Sequence, residues 1–216
     1  MIDVRLNAIV DPERANGRAL GELARLVVAG GATLIQLRDK LGSTRRMIAE
    51  ARAVKAALAG SGAPLVVNDR VDVALAAGAD GVHVGQDDMG VEEARRLLGE
   101  KAIIGLSIKS VAQANAAPLD ALDYVGVGGV YATASKDNPD APIGAAGLRA
   151  VVAALRARKA ALPVCAIAGI DAGNAGAVIA AGANGVAVIS ALSMRADPQA
   201  AARELRAIVD KALAGR

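Results

Sequence analysis

Three polar side chains occupy every second position near the end of the apolar segment TLIQLRDK, residues 33–40. They are Gln36, Arg38 and Lys40, and apolar residues fill most of the positions around them. If the segment is a β-strand, alternate side chains point to one face, so an amide and two cations line up together. A row of donors and positive charge of this kind is suited to binding an anion.

Two carboxylates come at the ends of neighbouring apolar segments. Asp69 follows PLVVN, and Asp88 follows GVHV after a short GQD link. On adjacent strands they could converge on one Mg²⁺, which prefers oxygen ligands and keeps several waters. Spacing alone leaves two alternatives open: Asp87 could replace Asp88, and Asp69 could instead cap the helix that begins RVDVALAAG.

Other apolar segments end in amide, hydroxyl, cationic or glycine residues. The polar segment TASKDNPD is either an active-site lid or a solvated surface loop. AGIDAGNAG and VISALS follow the last two segments, the place where phosphate-binding barrels hold a phosphate through backbone N–H groups. The residues selected at these ends are Asn68, Ser107, Thr133, Ser135, Lys136, Gly169, Ile170, Ile189 and Ser190. We therefore predict two anion sites, one cationic and one built from backbone.

The chain contains one histidine and one cysteine. His83 lies between two valines and is predicted to be a hydrogen-bonded interior residue, although a role as ligand or base stays open. A second His or Cys is missing nearby in the sequence, which argues against a zinc site. Cys165, inside PVCAIAG, is predicted to be a small core residue.

The elements that must position these residues are short apolar segments alternating with Ala-rich helical patterns. The segments are LNAIV, TLIQL, PLVVN, GVHV, AIIGL, DYVGVG, PVCAIA and GVAVI. AGADGVHV (77–84) and AGANGVAV (181–188) match at six of eight positions with an offset of 104, close to half the chain. We predict an α/β fold, a single (β/α)8 barrel over residues 1–216, with the site at the C-terminal ends of the strands.

The amino-acid composition limits the classes of binding partner that we expect. Hydrophobic residues make up 54% but aromatic residues only 1%, so Ala, Val, Leu and Ile must build the core. The net charge is +3, and the basic residues are interspersed with acids, which together with the scarcity of aromatics argues against nucleic-acid binding. The sequence contains neither a signal-like start nor a long apolar span, so we expect a cytoplasmic protein that does not enter a membrane. A homodimer formed through the Ala-rich outer helices stays open.

Seven sequence blocks, in order and spacing, resemble the thiamine-phosphate synthase family along nearly the whole chain. They are QLRDK, VNDR, GADGVHVGQDDM, IGLS, GVGGVYATASK, AIAGI and VAVIS. The resemblance implies a (β/α)8 barrel that joins two small phosphorylated substrates, a hydroxymethylpyrimidine diphosphate and a thiazole phosphate, with Mg²⁺ as cofactor. It also implies a dissociative path: diphosphate leaves, a pyrimidine cation forms, and the thiazole nitrogen attacks it without a general base.

The same resemblance implies a role for each matching residue. The pyrimidine diphosphate would contact Gln36, Leu37, Arg38, Asp39, Lys40, Asn68, Ser107 and Lys136, of which Arg38, Ser107 and Lys136 would be catalytic. The thiazole phosphate would contact Thr133, Ala134, Ser135, Gly169, Ile189 and Ser190. Asp69 and Asp88 would bind the metal, because the family pattern GQxD favours Asp88 over Asp87.

The chain departs from the family around its sixth strand. Gly129 and Ala132 stand where the family usually has prolines, so we expect a more mobile loop and an altered turnover rate. Ser135 replaces a threonine but keeps the hydroxyl. Two alternative functions stay open: a thiazole tautomerase of the same fold, which has no diphosphate substrate, and a non-catalytic barrel that binds thiazole phosphate or thiamine phosphate.

Overall fold

The strands of the computed structural model, which describes residues 1–133 and 141–215, form one closed barrel. Each strand pairs in parallel with the next, and β8 pairs with β1. The strands are β1 (Leu6–Val10), β2 (Leu34–Leu37), β3 (Leu65–Asn68), β4 (Gly81–Val84), β5 (Ile103–Ile108), β6 (Tyr124–Val127), β7 (Val164–Ile167) and β8 (Gly185–Val188). The predicted (β/α)8 barrel is confirmed, and every apolar segment named above overlaps one strand.

Helices connect the strands and cover the outside of the barrel. They are α1 (Leu20–Ala29), α2 (Thr44–Ala57), α3 (Val71–Ala77), α4 (Val91–Leu98), α5 (Val111–Ala116), α6 (Gly144–Arg158), α7 (Ala175–Ala180), α8 (Ser190–Ser193) and α9 (Pro198–Ala214), with 3₁₀ turns at Pro12–Arg14 and Leu119–Ala121. In the described part of the chain, no helix combines the length and apolar character needed to cross a membrane.

The boundaries of α2 illustrate how the sequence starts and stops a helix. The Ser43 hydroxyl accepts a hydrogen bond from the Arg46 N–H at 3.4 Å, which satisfies one of the free donors of the first turn. The helix ends before Gly60 and is capped at Leu58, whose side chain is buried in the core. Gly60 lies in the turn that follows, at a φ of 78°.

The internal repeat has a structural counterpart at the base of the barrel. Asp80, before β4, accepts a hydrogen bond from the Leu65 N–H at 2.8 Å. Asn184, at the equivalent position before β8, accepts one from the Val164 N–H at 3.0 Å. Each side chain thus accepts a hydrogen bond from the first backbone N–H of the preceding strand. The repeated sequence therefore encodes the same side-chain link between neighbouring strands in both halves of the barrel.

Glycines make room inside the barrel for its two rings, His83 and Tyr124. A Cβ on Gly105 would lie 2.3 Å from Cζ of Tyr124 and 2.4 Å from Nδ1 of His83. A Cβ on Gly126 would lie 3.0 Å from Cε1 of His83. The interior cluster otherwise consists of small and aliphatic residues: Val4, Ile9, Leu34, Val66, Cys165, Ala187 and Ile189.

We predict that Gly105→Ala lowers the free energy of unfolding by about 1–3 kcal/mol, because the added methyl group overpacks the rings. Urea denaturation measures the change. Gly176→Ala is the matched control, because a Cβ there meets nothing within 4 Å and lies in helix α7, where alanine is favoured over glycine. Equal stability of the two variants would contradict the tight fit around the rings.

Candidate active site

The guanidinium of Arg38 is held in place by a buried carboxylate. Nη1 of Arg38 lies 2.5 Å from Oδ2 of Asp11, whose side chain is 1% exposed. The other oxygen of Asp11 accepts the Glu13 N–H at 2.9 Å, and the Arg38 N–H donates to the Val10 carbonyl at 2.9 Å. No role was predicted for Asp11 from the sequence, where the only signal is a carboxylate directly after the first strand. It orients the first cation of the donor row.

Lys40 and the two predicted metal-binding aspartates meet at the ends of β2, β3 and β4. Nζ of Lys40 donates to Oδ2 of Asp69, and the carboxyl groups of Asp69 and Asp88 are in hydrogen-bonding contact. Oδ2 of Asp88 also accepts the Gly85 N–H at 2.7 Å. The alternative that Asp69 caps the next helix is wrong, because Arg70 is the N-cap of α3 and no side chain bonds there.

The electrostatics of this carboxylate pair fit a cation. Burial raises the pKa of Asp69, the Lys40 contact lowers it, and the neighbouring Asp88 raises it further, with a net increase. In residues 1–133 and 141–215, no cluster of three His, Cys, Asp or Glu side chains is arranged to hold a metal. Two carboxylates with water and phosphate oxygens are nonetheless a usual ligand set for Mg²⁺.

Three further predicted residues lie on inner faces of the barrel. Gln36 is 4% exposed on β2, and Asn68 shares a face of β3 with Val66 of the interior cluster. Oγ of Ser107 lies 2.9 Å from Nε2 of His83. The prediction that His83 is a hydrogen-bonded interior residue is confirmed, since its Nδ1 also lies 2.9 Å from Oη of Tyr124.

Two residues of QLRDK direct their side chains elsewhere. Leu37 is 1% exposed and packs in the aliphatic layer between strands and helices. Oδ1 of Asp39 accepts the N–H groups of Leu41 at 3.0 Å and Gly42 at 2.7 Å, which turns the chain toward α2. The structure therefore leaves only the backbone of Leu37 and Asp39 for contact with a ligand.

A cavity of about 780 Å³ opens where β7 and β8 end. It brings together four residues predicted to bind the thiazole phosphate: Thr133, Gly169, Ile189 and Ser190. Ala168 has a φ of 87°, a strained conformation for a residue with a side chain and of the kind found at binding sites, and Gly169 follows at a φ of 64°. A Cβ on Gly169 would lie 2.3 Å from the Ala132 carbonyl oxygen, so only glycine allows this approach of the two loops.

Three predicted site residues, Ala134, Ser135 and Lys136, lie outside the described residues. The remaining ones divide into two groups at the same barrel mouth. The cations, carboxylates and Ser107 lie over β2 to β5, and the backbone-rich cavity lies over β7 and β8. The use of these two groups as anion sites stays a prediction.

The sequence model of the family described as thiamine monophosphate synthase matches residues 6–192. The chain belongs to the thiamine monophosphate synthase family. The predicted resemblance is thereby confirmed, over a length that includes all eight strands.

Members of the thiamine monophosphate synthase family with curated names match nearly the full chain. The "Thiamine-phosphate synthase" of Agrobacterium fabrum is 53% identical over 100% of this chain and 98% of that protein. That of Chloroflexus aurantiacus is 46% identical over 97% and 94%. The solved structure of a thiamine phosphate pyrophosphorylase from Pyrococcus furiosus covers 98% of both chains with a TM-score of 0.84 and 37% identity.

We predict that Asp69→Asn raises the free energy of unfolding of the metal-free protein at pH 7. The pKa of Asp69 is raised on folding, so the folded state favours the protonated carboxyl. The protonated carboxyl therefore contributes stability at low pH, and this contribution is lost as the pH rises through the folded pKa. The stability gained by the asparagine variant should shrink as the pH falls toward about 3.9, the usual pKa of an aspartate carboxyl. Urea denaturation in chelator at several pH values measures it.

Asp72→Asn is the matched control for this experiment. The hydrogen bond from Arg70 lowers the pKa of Asp72, so the folded state favours the charged carboxylate. Asp72→Asn should therefore lower the free energy of unfolding slightly at pH 7, a change opposite in sign to that of Asp69→Asn. Added Mg²⁺ should stabilise the wild-type protein and Asp72→Asn but not Asp69→Asn. A loss of stability in metal-free Asp69→Asn would show that the contact between the carboxylates of Asp69 and Asp88 does not destabilise the folded protein.

Proposed function

We propose that the chain condenses an aminopyrimidine carrying a diphosphooxymethyl group with a thiazole phosphate, releasing diphosphate and forming thiamine phosphate. The observation that carries the proposal is that the cations Arg38 and Lys40 and the backbone-rich cavity over β7 and β8 lie at one barrel mouth. A single phosphate needs one such region, whereas a diphosphate and a monophosphate together use both. The family membership of the whole chain supports the same reaction.

The diphosphate is assigned to the region over β2 to β5. Arg38, oriented by Asp11, and Lys40, beside Asp69, supply positive charge that is in place before the substrate arrives. Such preorganised charge stabilises the negative charge that develops on a departing group. Mg²⁺ held between Asp69 and Asp88 would neutralise further negative charge on the diphosphate. Lys136 is assigned to the same leaving group.

The chain's own residues act here by binding and positioning rather than by proton transfer. The thiazole nitrogen already has a free lone pair, so the reaction needs no base to create a nucleophile. Both ring nitrogens of His83 are engaged in hydrogen bonds, and burial raises the pKa of the Cys165 thiol, which keeps it protonated. Holding the two substrates in line then supplies the remaining rate enhancement.

The monophosphate of the thiazole is assigned to the cavity over β7 and β8. Gly169, Ile189 and Ser190 would bind it, largely through backbone N–H groups, together with Thr133 and the two residues after it. Whether the thiazole also carries a carboxylate stays open. A single catalytic domain, a homodimer and a cytoplasmic location also stay predictions.

Mixing both substrates with Mg²⁺ and measuring diphosphate release tests the proposal. A synthase releases diphosphate in proportion to thiamine phosphate formed. A tautomerase of the same fold, or a barrel that only binds thiazole phosphate or thiamine phosphate, releases none. Absence of diphosphate from correctly folded protein with both substrates would refute the proposed function.

We predict that Asp88→Ala lowers the rate of diphosphate release by about 100-fold or more. Without this carboxylate, Mg²⁺ would no longer be held where it neutralises negative charge on the leaving group. Lys136→Ala is expected to do the same. Steady-state kinetics measure both, with circular dichroism to verify the fold. Asp87→Ala, one residue away and exposed, is the matched control and should retain the wild-type rate. The assignment fails if Asp88→Ala behaves like Asp87→Ala.

We predict that Gly169→Ala raises KM for the thiazole phosphate by about tenfold or more, with little change in KM for the pyrimidine diphosphate. The substitution strains a left-handed backbone and pushes the loop away from the Ala132 carbonyl, which moves the phosphate-binding N–H groups. Gly176→Ala serves again as control. An equal rise in both KM values would contradict the separation into two subsites.

A further inference from the structure

His83 and Tyr124 form a hydrogen-bonded chain inside the barrel that joins two of the proposed substrate contacts. Oη of Tyr124 lies 2.9 Å from Nδ1 of His83, and Nε2 of His83 lies 2.9 Å from Oγ of Ser107. At the other end, the side chain of Gln36 is close enough to Tyr124 to interact with its phenol. Tyr124 is fully buried, and the exposed fractions of His83 and Gln36 are 7% and 4%. Bulk water therefore has little access to these three groups, whereas Ser107 is partly exposed.

The direction of each hydrogen bond in such a chain is coupled to the next. A phenol has one proton to donate, and a neutral imidazole has one donor and one acceptor nitrogen. Burial raises the pKa of Tyr124, so the phenol keeps its single proton and can donate it to one partner. If that partner is Nδ1 of His83, 2.9 Å away, the phenol oxygen is left to accept from the Gln36 amide.

The tautomer of His83 follows from that bond. If Nδ1 accepts from Tyr124, the ring proton resides on Nε2, and Nε2–H donates to Oγ of Ser107. The hydroxyl proton of Ser107 is then directed away from His83 and available to an acceptor at the mouth. A diphosphate offers only acceptor oxygens, so it requires this direction of the chain. At the other end, the carbonyl oxygen of Gln36 stays available as an acceptor for an amino group.

We propose that His83 and Tyr124 are positioning residues, a relay that fixes Ser107 as a hydrogen-bond donor to the leaving diphosphate and Gln36 as an acceptor toward the aminopyrimidine. The inference rests on the proposed function for its ligands. It explains why the barrel interior accommodates two polar rings at the cost of glycines at positions 105 and 126. An aliphatic residue would fill the same space without organising either contact.

The first test reads the tautomer directly. Because the chain contains one histidine, untagged protein labelled with ¹⁵N-histidine reports on His83 alone. At neutral pH and without substrates, we expect a protonated Nε2 and an unprotonated Nδ1. Tyr124→Phe, which removes only the hydroxyl, should increase the fraction with a protonated Nδ1. A wild-type ring protonated on Nδ1, or on both nitrogens, would overturn the relay.

The second test reads the effect on the reaction. We expect Tyr124→Phe to lower kcat by about fivefold, with a smaller change in KM, because the lost donor acts on charge that develops in the transition state. The same substitution in a Ser107→Ala background should cost little further kcat, since the end of the relay that reaches the leaving diphosphate acts through Ser107. An equal loss in both backgrounds, or an unchanged kcat in Tyr124→Phe, would overturn the proposal.

Cys165→Ala is the control for a purely structural effect. Cys165 lies in the same interior cluster as Tyr124 but outside the hydrogen-bonded chain, so its replacement should lower stability without changing the tautomer or kcat. A tautomer shift in Cys165→Ala equal to that in Tyr124→Phe would also overturn the relay. If wild-type protein releases no diphosphate, the proposed function fails, whereas the NMR measurement still decides the hydrogen-bond direction.

Discussion

Closure of eight parallel strands into one barrel is the constraint on which the rest of the structure depends. Because all strands run in one direction, their C-terminal ends meet at a single mouth, and residues as distant as Asp11 and Ser190 belong to one surface. Parallel strands covered by helices bury both faces, so a polar inward side chain is costly unless it lies at the mouth or is hydrogen-bonded inside. The donors at the mouth and the His83–Tyr124 pair illustrate these two solutions.

Two cationic side chains at the barrel mouth are each paired with a carboxylate. Arg38 is paired with Asp11 and Lys40 with Asp69, so each cation of the donor row has an acidic partner. Arg38 is well buried, and an unpaired guanidinium there would be costly, whereas the pairing holds it in one orientation. Lys40 is half exposed and can exchange its partner more easily. The mouth therefore combines a rigid cation with an adaptable one, next to two carboxylates whose contact favours a shared cation.

The barrel interior links packing to chemistry. Gly105 and Gly126 have no side chains because His83 and Tyr124 fill the space, so the polar rings are as tightly enclosed as the aliphatic core. Tight enclosure restricts the rings to one arrangement, and hydrogen bonds then gain strength from the low local dielectric. The same glycines that allow the rings make the interior sensitive to any added methyl group. Stability and the orientation of Ser107 consequently depend on the same few contacts.

The sequence by itself determined the barrel, its strands and the family, because short apolar segments, Ala-rich helices and short motifs are local patterns that can be read directly from the chain. It also placed Gln36, Arg38, Lys40, Asp69 and Asp88 at strand ends. Only the tertiary structure decided what each side chain meets there. Asp11 reaches Arg38 across 27 positions, while Asp39 turns away to bond its own loop. Such pairings depend on strand register and barrel closure, which no local pattern records.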